Sequence, residues 1–368
     1  MAVDALINSL SNPALWIAAF AGGAFGAAIG ALPAFCFTGF MVIAGEASNL
    51  ATKAVSGSID GISGVVGTGI TGSIAFGPVF GPHISFAGGA AAAGYAARKG
   101  YMDTGFDYHE AKNIAFAQGT KPDILAVGGV FGLVGMLIQQ ISAIGLAAPW
   151  DPIAMGVVLS ALFHRLAFGY PLIGKVRGDS VFDMTPFVRE EMRDTAGGGG
   201  AAATDGGTVK ERLAVEPWLG HQYKWTNVTM IGLVAGILGA YTAIATGSAF
   251  LAFGISAASL TFLNLGVEQI PVTHHITLPA STATLAVMAD GSGAIAGVGE
   301  PTALAVGAAF GIIGALAGET FQRIFYAHGD THWDPPAAGI VFATLLIGIL
   351  YIAGVFPSAS WVPIPAGF

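Results

Sequence analysis

Four stretches of this chain, 123–148, 152–172, 300–322 and 336–356, run on with almost no charged residue. Each is about the 20 residues that an α-helix needs to cross the ~30 Å hydrocarbon core of a bilayer. Two more, 14–45 and 228–262, are too long for one straight crossing and too short for two. Pro33 and Gly247 lie near their middles, which predicts tilted or broken helices. No soluble fold clothes so much apolar sequence: 14 basic and 22 acidic side chains serve 368 residues, and mean hydropathy is +0.70. The 55 glycines, many beside alanine, suit membrane helices that pack closely through small residues. The expectation is an all-α polytopic membrane protein with a lipid bilayer as its main solvent, and glycine-rich faces that also suit a homo-oligomer.

Two further apolar stretches, 78–98 (GPVFGPHISFAGGAAAAGYAA) and 270–290 (IPVTHHITLPASTATLAVMAD), carry histidine, proline and many small residues. They read as spans or as re-entrant hairpins, which a membrane tolerates only against protein or a water-filled cavity. One sizeable polar segment, 173–227, holds the low-complexity tether GGGGAAATDGG at 197–207. It divides the chain into a first membrane unit, 1–172, a cytoplasmic linker, and a second membrane unit, 228–368.

The two units are alike in order. LPAFCFTGF (32–40) parallels GSAFLAFGI (247–255), with Gly39 matching Gly254. His83-Ile84-Ser85 parallels His275-Ile276-Thr277. Lys121-Pro122 parallels Glu300-Pro301, and Trp150-Asp151-Pro152 parallels Trp333-Asp334-Pro335. Duplication is the expectation. Basic residues concentrate at 98–121 and 175–224, which the positive-inside rule assigns to the cytoplasm, with Arg323 marking one more inner end. If the histidine segments re-enter, each unit has three spans, the copies are inverted and both termini lie outside the cell membrane. If they span, each unit has four helices and the copies are parallel. The placement of Arg323 favours the inverted 3+3 arrangement.

Inverted repeats with paired broken segments place a transport site near the midplane, where the copies meet. An ionisable side chain inside such a segment is expensive to bury and so marks function. His83, which follows Gly81-Pro82, and His274 and His275, which lie between Pro271 and Pro279, are the first candidates for a substrate or ion pathway. Glu300 opens a helix in GVGEPTAL, where a carboxylate is favoured by the helix dipole. Its counterpart is Lys121, so one asymmetric site is expected rather than two identical ones. Asp151 and Asp334 precede proline and predict helix caps. Glu319 stands four residues before Arg323, which predicts a pair on a helix surface.

Several classes are excluded. There is no basic footprint for nucleic acid, no phosphate-binding GxxxxGK[ST] loop and no serine-hydrolase elbow. Cys36 is alone, so no disulfide forms within the chain. The first ten residues lack the basic region of a cleavable signal. His328 and His332 flank Asp330, but without cysteines they do not make a metal site, and neither a metal nor another cofactor is expected.

The order of histidine, small residues and Gly-x-x-Glu-Pro over 275–301 resembles the membrane permease subunit (enzyme IIC) of the bacterial sugar phosphotransferase system. ITLPASTATLAVMADGSGAIAG is similar to a run in relatives of that permease, and PHISFAGGAAAAGYA is similar to its fructose branch. The resemblance implies that His275 and Glu300 hold a sugar; Lys121 departs from it in the first unit. Taken together, the residues predict a transporter or channel for a small polar solute or ion, not an enzyme. The alternative is a membrane scaffold that docks a cytoplasmic partner through 173–227, with 189–194 (REEMRD) as the contact.

Overall fold

The computed structural model describes residues 2–56, 69–193 and 212–367. The tether 197–207 lies outside them. The regular secondary structure of the described residues is helical, apart from one isolated bridge, Met192 to Leu213. In order, the helices are α1 (Ala2–Leu10), α2 (Pro13–Ile29), α3 (Ala31–Ser56), α4 (Ser85–Arg98), α5 (Pro122–Gln140), α6 (Pro152–Ala167) and the short α7 (Thr185–Val188). Then come α8 (Trp225–Thr246), α9 (Leu251–Asn264), α10 (His274–Met288), α11 (Glu300–Phe321) and α12 (Pro335–Ile352). Single π-turns extend α5 through Gly145 and α11 through Tyr326.

Five of these segments are long and apolar enough to cross a membrane: 31–54, 122–145, 225–246, 300–326 and 335–352. Helices α1 and α2 pass the same test together across a 66° bend. Large apolar side chains such as Ile17, Phe163, Leu238, Ile255 and Phe342 stand exposed on the helix surfaces. Water would penalise that surface and lipid does not. This is a membrane protein.

Local chemistry sets the helix ends. Asn12 Oδ1 accepts from the Ala14 amide, Asp151 Oδ1 from Ile153 and Ala154, and Asp334 Oδ2 from Ala337. In each case proline follows the cap, where its missing N–H costs nothing. The sequence placed the first break at Pro33, but the chain turns at Gly30, whose φ of 94° favours glycine. Pro33 sits harmlessly in the first turn of α3. Phe25 and Phe37 both lie on the Phe80 ring, so α2 and α3 double back on each other. The second break does fall at Gly247, which closes α8 in the left-handed conformation.

Each histidine segment contains one helix, which in the first begins just after the turns that hold His83. From Ser85 to Arg98, and again from His274 to Met288, the chain is one continuous helix. Pro279 lies inside α10 and is accommodated there.

Small residues decide the packing. Helix α2 lies on α4 and α5, with Gly23 against Gly128 and Gly132; α8 lies on α10 and α11, with Gly236 against Gly307 and Gly311. The His83 carbonyl sits where a β-carbon at Gly135 would be, and the His275 carbonyl where one at Gly314 would be. The two groups of helices meet along α3–α9 and α6–α12. Gly39 touches Gly254, and Glu46 Oε2 accepts from Ser248 Oγ at 2.5 Å, so α3 and α9 run antiparallel. Helices α6 and α12 are antiparallel too: the Asp151 amide donates to Thr344 Oγ1 (2.9 Å), while the Trp333 indole donates to the Val158 carbonyl (2.9 Å).

One end of the bundle gathers every described Lys and Arg except Lys53. Arg98 donates to the Phe168 and Gly169 carbonyls. The wholly buried Arg165 donates to Leu172, Phe325 and Thr331. Arg323 pairs with Glu319 at 2.6 Å and also donates to the Phe182 and Tyr223 carbonyls. That pair is buried rather than on the surface, because the linker folds over it.

Candidate functional site

Between the two groups of helices lies a cavity of about 300 Å³. The first unit lines it with Leu32, Phe35, Phe86, Ala154 and Val157, the second with Phe253, Leu278, Ala337 and Ile340. Linker residues Trp218 and Leu219 cover one side. The wall is mostly apolar, and the few polar side chains in it carry the chemistry.

His274 opens α10 and lines the cavity. Its ring packs on Phe35 at 4.6 Å and Phe253 at 5.9 Å, and its buried Nδ1 has no hydrogen-bond partner. Asp151 and Asp334, the caps of α6 and α12, reach the same space. Asp334 Oδ1 is 3.0 Å from His332 Nε2, and the His332 ring leans on Phe86 and Tyr326.

The other sequence candidates lie elsewhere. His83 is buried and its Nδ1 unpartnered, but its β-carbon packs over Gly156 and its neighbour Pro82, not the imidazole, lines the cavity. His275 is not part of the cavity wall: its ring meets those of His274 (5.7 Å) and Trp218 (6.0 Å) edge-on and lies against Gly318. Glu300 and Lys121 are exposed at the starts of α11 and α5. His275 reaches α11 at Gly318, about 27 Å of helical rise from Glu300. The two residues that the sugar permease resemblance joins are therefore far apart. His328 Nε2 lies 3.3 Å from the Val181 carbonyl, and no three metal-binding side chains converge among the described residues.

Beside the cavity, sequence reasoning missed a buried charge chain. Lys112 Nζ donates to Glu216 Oε2 at 2.7 Å, with both side chains fully buried. Arg212 Nε reaches Glu216 Oε1 at 3.2 Å and also pairs with Asp330, which in turn accepts from Arg193 at 3.0 Å. Tyr326 lies beneath the Lys112 ammonium, 4.5 Å from ring centre. Burial lowers the Lys112 pKa to about 8, against the opposing pull of Glu216. Burial pushes Asp330 up, but Arg212, His109 and Arg193 outweigh it and hold the carboxyl well below its usual range. His109 is held well below the ordinary histidine value, by burial first and then by Arg212. The chain ties loop 99–121, the linker and the turn after α11 into one closure. Of the stretch 189–194, Arg193 is committed to this closure, Arg189, Glu190 and Glu191 are exposed, and residue 194 lies outside the described residues. No sequence pattern links Lys112 to Glu216; only the fold joins them.

One family model matches residues 5–365, almost the whole chain. The chain belongs to that family, DUF7973, a family of unknown function. No curated protein and no solved structure matches it.

Proposed function

We propose that this protein is a transporter for a small solute, and that the cavity between its two membrane units is the site. The observation that carries the reading is a cavity bounded by both units, into which His274 brings an imidazole with an unpartnered nitrogen. Groups buried at that expense mark a pathway more often than a scaffold.

In this reading the units are inverted copies. Glycine contacts at matching positions support it: His83 on Gly135 and His275 on Gly314, Ser85 on Gly26 and Thr277 on Gly239. So do the antiparallel contacts of α3 with α9 and α6 with α12, which suit a two-fold axis lying in the membrane plane. Counting α2, α3, the segment 69–98, α5 and α6 gives five passages in the first unit, and α8 to α12 give five in the second. An odd number inverts the second copy, as three would have done. The basic end then faces the cytoplasm, both termini face outward, and the membrane is the cell membrane. The mostly apolar wall, with an unpartnered nitrogen on His274, suits binding and release rather than catalysis.

Uptake into proteoliposomes tests the reading, using labelled panels of small amines, carboxylates, sugars and monovalent ions. Saturable uptake of at least one is expected, and Ala154→Trp, which fills the cavity, should abolish it while the melting temperature holds. If nothing saturates, or if the variant transports normally, the cavity is not a transport site.

A further inference from the structure

The polar groups around the cavity are unequal in what they leave free. Lys112 is the one Lys or Arg in its lining, but its side chain is fully buried and spent on Glu216. The carboxylates are less completely spent. Asp334 keeps 12% of its side chain exposed, and Asp151 uses Oδ1 for its helix cap, with no partner for Oδ2. The cavity therefore presents negative charge. Its walls are rich in rings: Phe35, Phe76, Phe86, Phe250, Phe253 and Trp361. Aromatic faces attract cations, most strongly where water is excluded.

These features discriminate among solutes. An anion would meet two carboxylates with no free ammonium or guanidinium to offset them. A sugar would lose its hydroxyl hydration against rings that return no hydrogen bonds. A bare metal ion would need six or more oxygen ligands, which this wall lacks. An ammonium on a compact apolar body meets none of these objections. About 300 Å³ is at the small end for a ligand site, so the body must be compact.

The two carboxylates also have an arrangement. Asp151 stands level with Thr344 of α12, ten residues beyond Asp334, which is about 15 Å along the helix. Because α6 and α12 are antiparallel, the caps address the cavity from opposite ends. His274 stands between apolar rings with a nitrogen to offer.

We propose that the cavity takes a small organic cation, an ammonium on a compact apolar body, whose charge is received by Asp151 at one end and Asp334 at the other. The proposal rests on reading the cavity as a transport site.

Three soluble probes of nearly one shape test it: choline, its neutral isostere 3,3-dimethylbutanol, and the anion 3,3-dimethylbutanoate. Titration calorimetry on the full chain in nanodiscs should show choline binding at least tenfold tighter than either of the others. Asp151→Asn and Asp334→Asn should each weaken choline tenfold or more. Glu300→Gln, an exposed carboxylate far from the cavity, should change nothing, and melting temperatures verify folding. Equal binding of the three probes, preference for the anion, or no choline binding at all overturns the proposal. Proteoliposome uptake keeps the two readings separate. Choline that binds as expected but is never taken up removes transport and leaves the cation site standing. Saturable uptake of 3,3-dimethylbutanoate without choline binding does the reverse.

Discussion

Glycine at the crossing of α2 with α5, and of α8 with α11, should be a requirement of the packing rather than a habit of composition. A β-carbon at Gly132 would stand 2.6 Å from the Ala19 carbonyl oxygen, and one at Gly311 would stand 2.6 Å from that of Gly232. Ordinary carbon–oxygen contact begins near 3.4 Å, so each helix pair must part by roughly 0.8 Å along its length. Overpacking of that kind costs about 1–3 kcal/mol. Alanine returns ~1 kcal/mol in backbone entropy, leaving a net loss of up to about 2 kcal/mol. At roughly 2–4 °C per kcal/mol, Gly132→Ala and Gly311→Ala should each lower the melting temperature by up to about 8 °C. The sites lie in different units, so the double variant should lose about the sum. Gly94→Ala is the control, because its β-carbon would find nothing nearer than 3.5 Å and the entropy gain is unopposed. Thermal unfolding in nanodiscs, followed by tryptophan emission, reads all four. If Gly132→Ala and Gly311→Ala behave like Gly94→Ala, close glycine packing does not hold these units together.

Three further expectations follow from the same structure. Lys112→Met strands Glu216 without its ammonium and should cost about 3–5 kcal/mol, whereas Lys112→Met with Glu216→Leu should recover much of that; a double-mutant cycle from denaturant unfolding measures the coupling. Burial holds the Lys112 pKa at about 8 in the folded chain against 10.5 when free, so between those values the unfolded chain carries a proton that the folded chain lacks. The stability owed to this group is therefore least below pH 8 and rises toward pH 10.5. Unfolding midpoints of the wild type should gain on those of Lys112→Arg, which stays charged throughout, across that window. Finally, Lys121→Cys and Glu300→Cys, in a Cys36→Ala background, should react with an impermeant maleimide from opposite sides of the membrane. Labelling from the same side would make the copies parallel.

The membrane class was legible because uncharged length is a local property, as were the caps at Asp151 and Asp334. The break at Gly247 was legible because a left-handed residue ends a helix by itself. Gly30 was not: Pro33 is the louder breaker in the sequence, yet a proline in a first turn breaks nothing. The histidine segments read as spans or hairpins because proline and glycine crowd them, and the fold packs both closely, His83 on Gly135 and His275 on Gly314. His274 was found through its segment, whereas its neighbour His275 stays out of the cavity wall, a distinction that only helical phase and packing decide. Asp151 and Asp334 could be seen as caps but not as cavity walls, since that second role depends on α6 meeting α12. Lys112, Glu216, Arg212 and Asp330 come together from three separate segments, and no local pattern carries such a contact.

The most direct test of the account asks whether the cavity opens to each side in turn. Val157→Cys, on the cavity wall in a Cys36→Ala background, can be challenged with an impermeant maleimide in right-side-out and in inside-out vesicles. Modification from both sides is expected, with Ala154→Trp suppressing both, as alternating access through a single site requires. A cysteine that reacts from neither side while the protein remains folded in its native membrane would contradict the account.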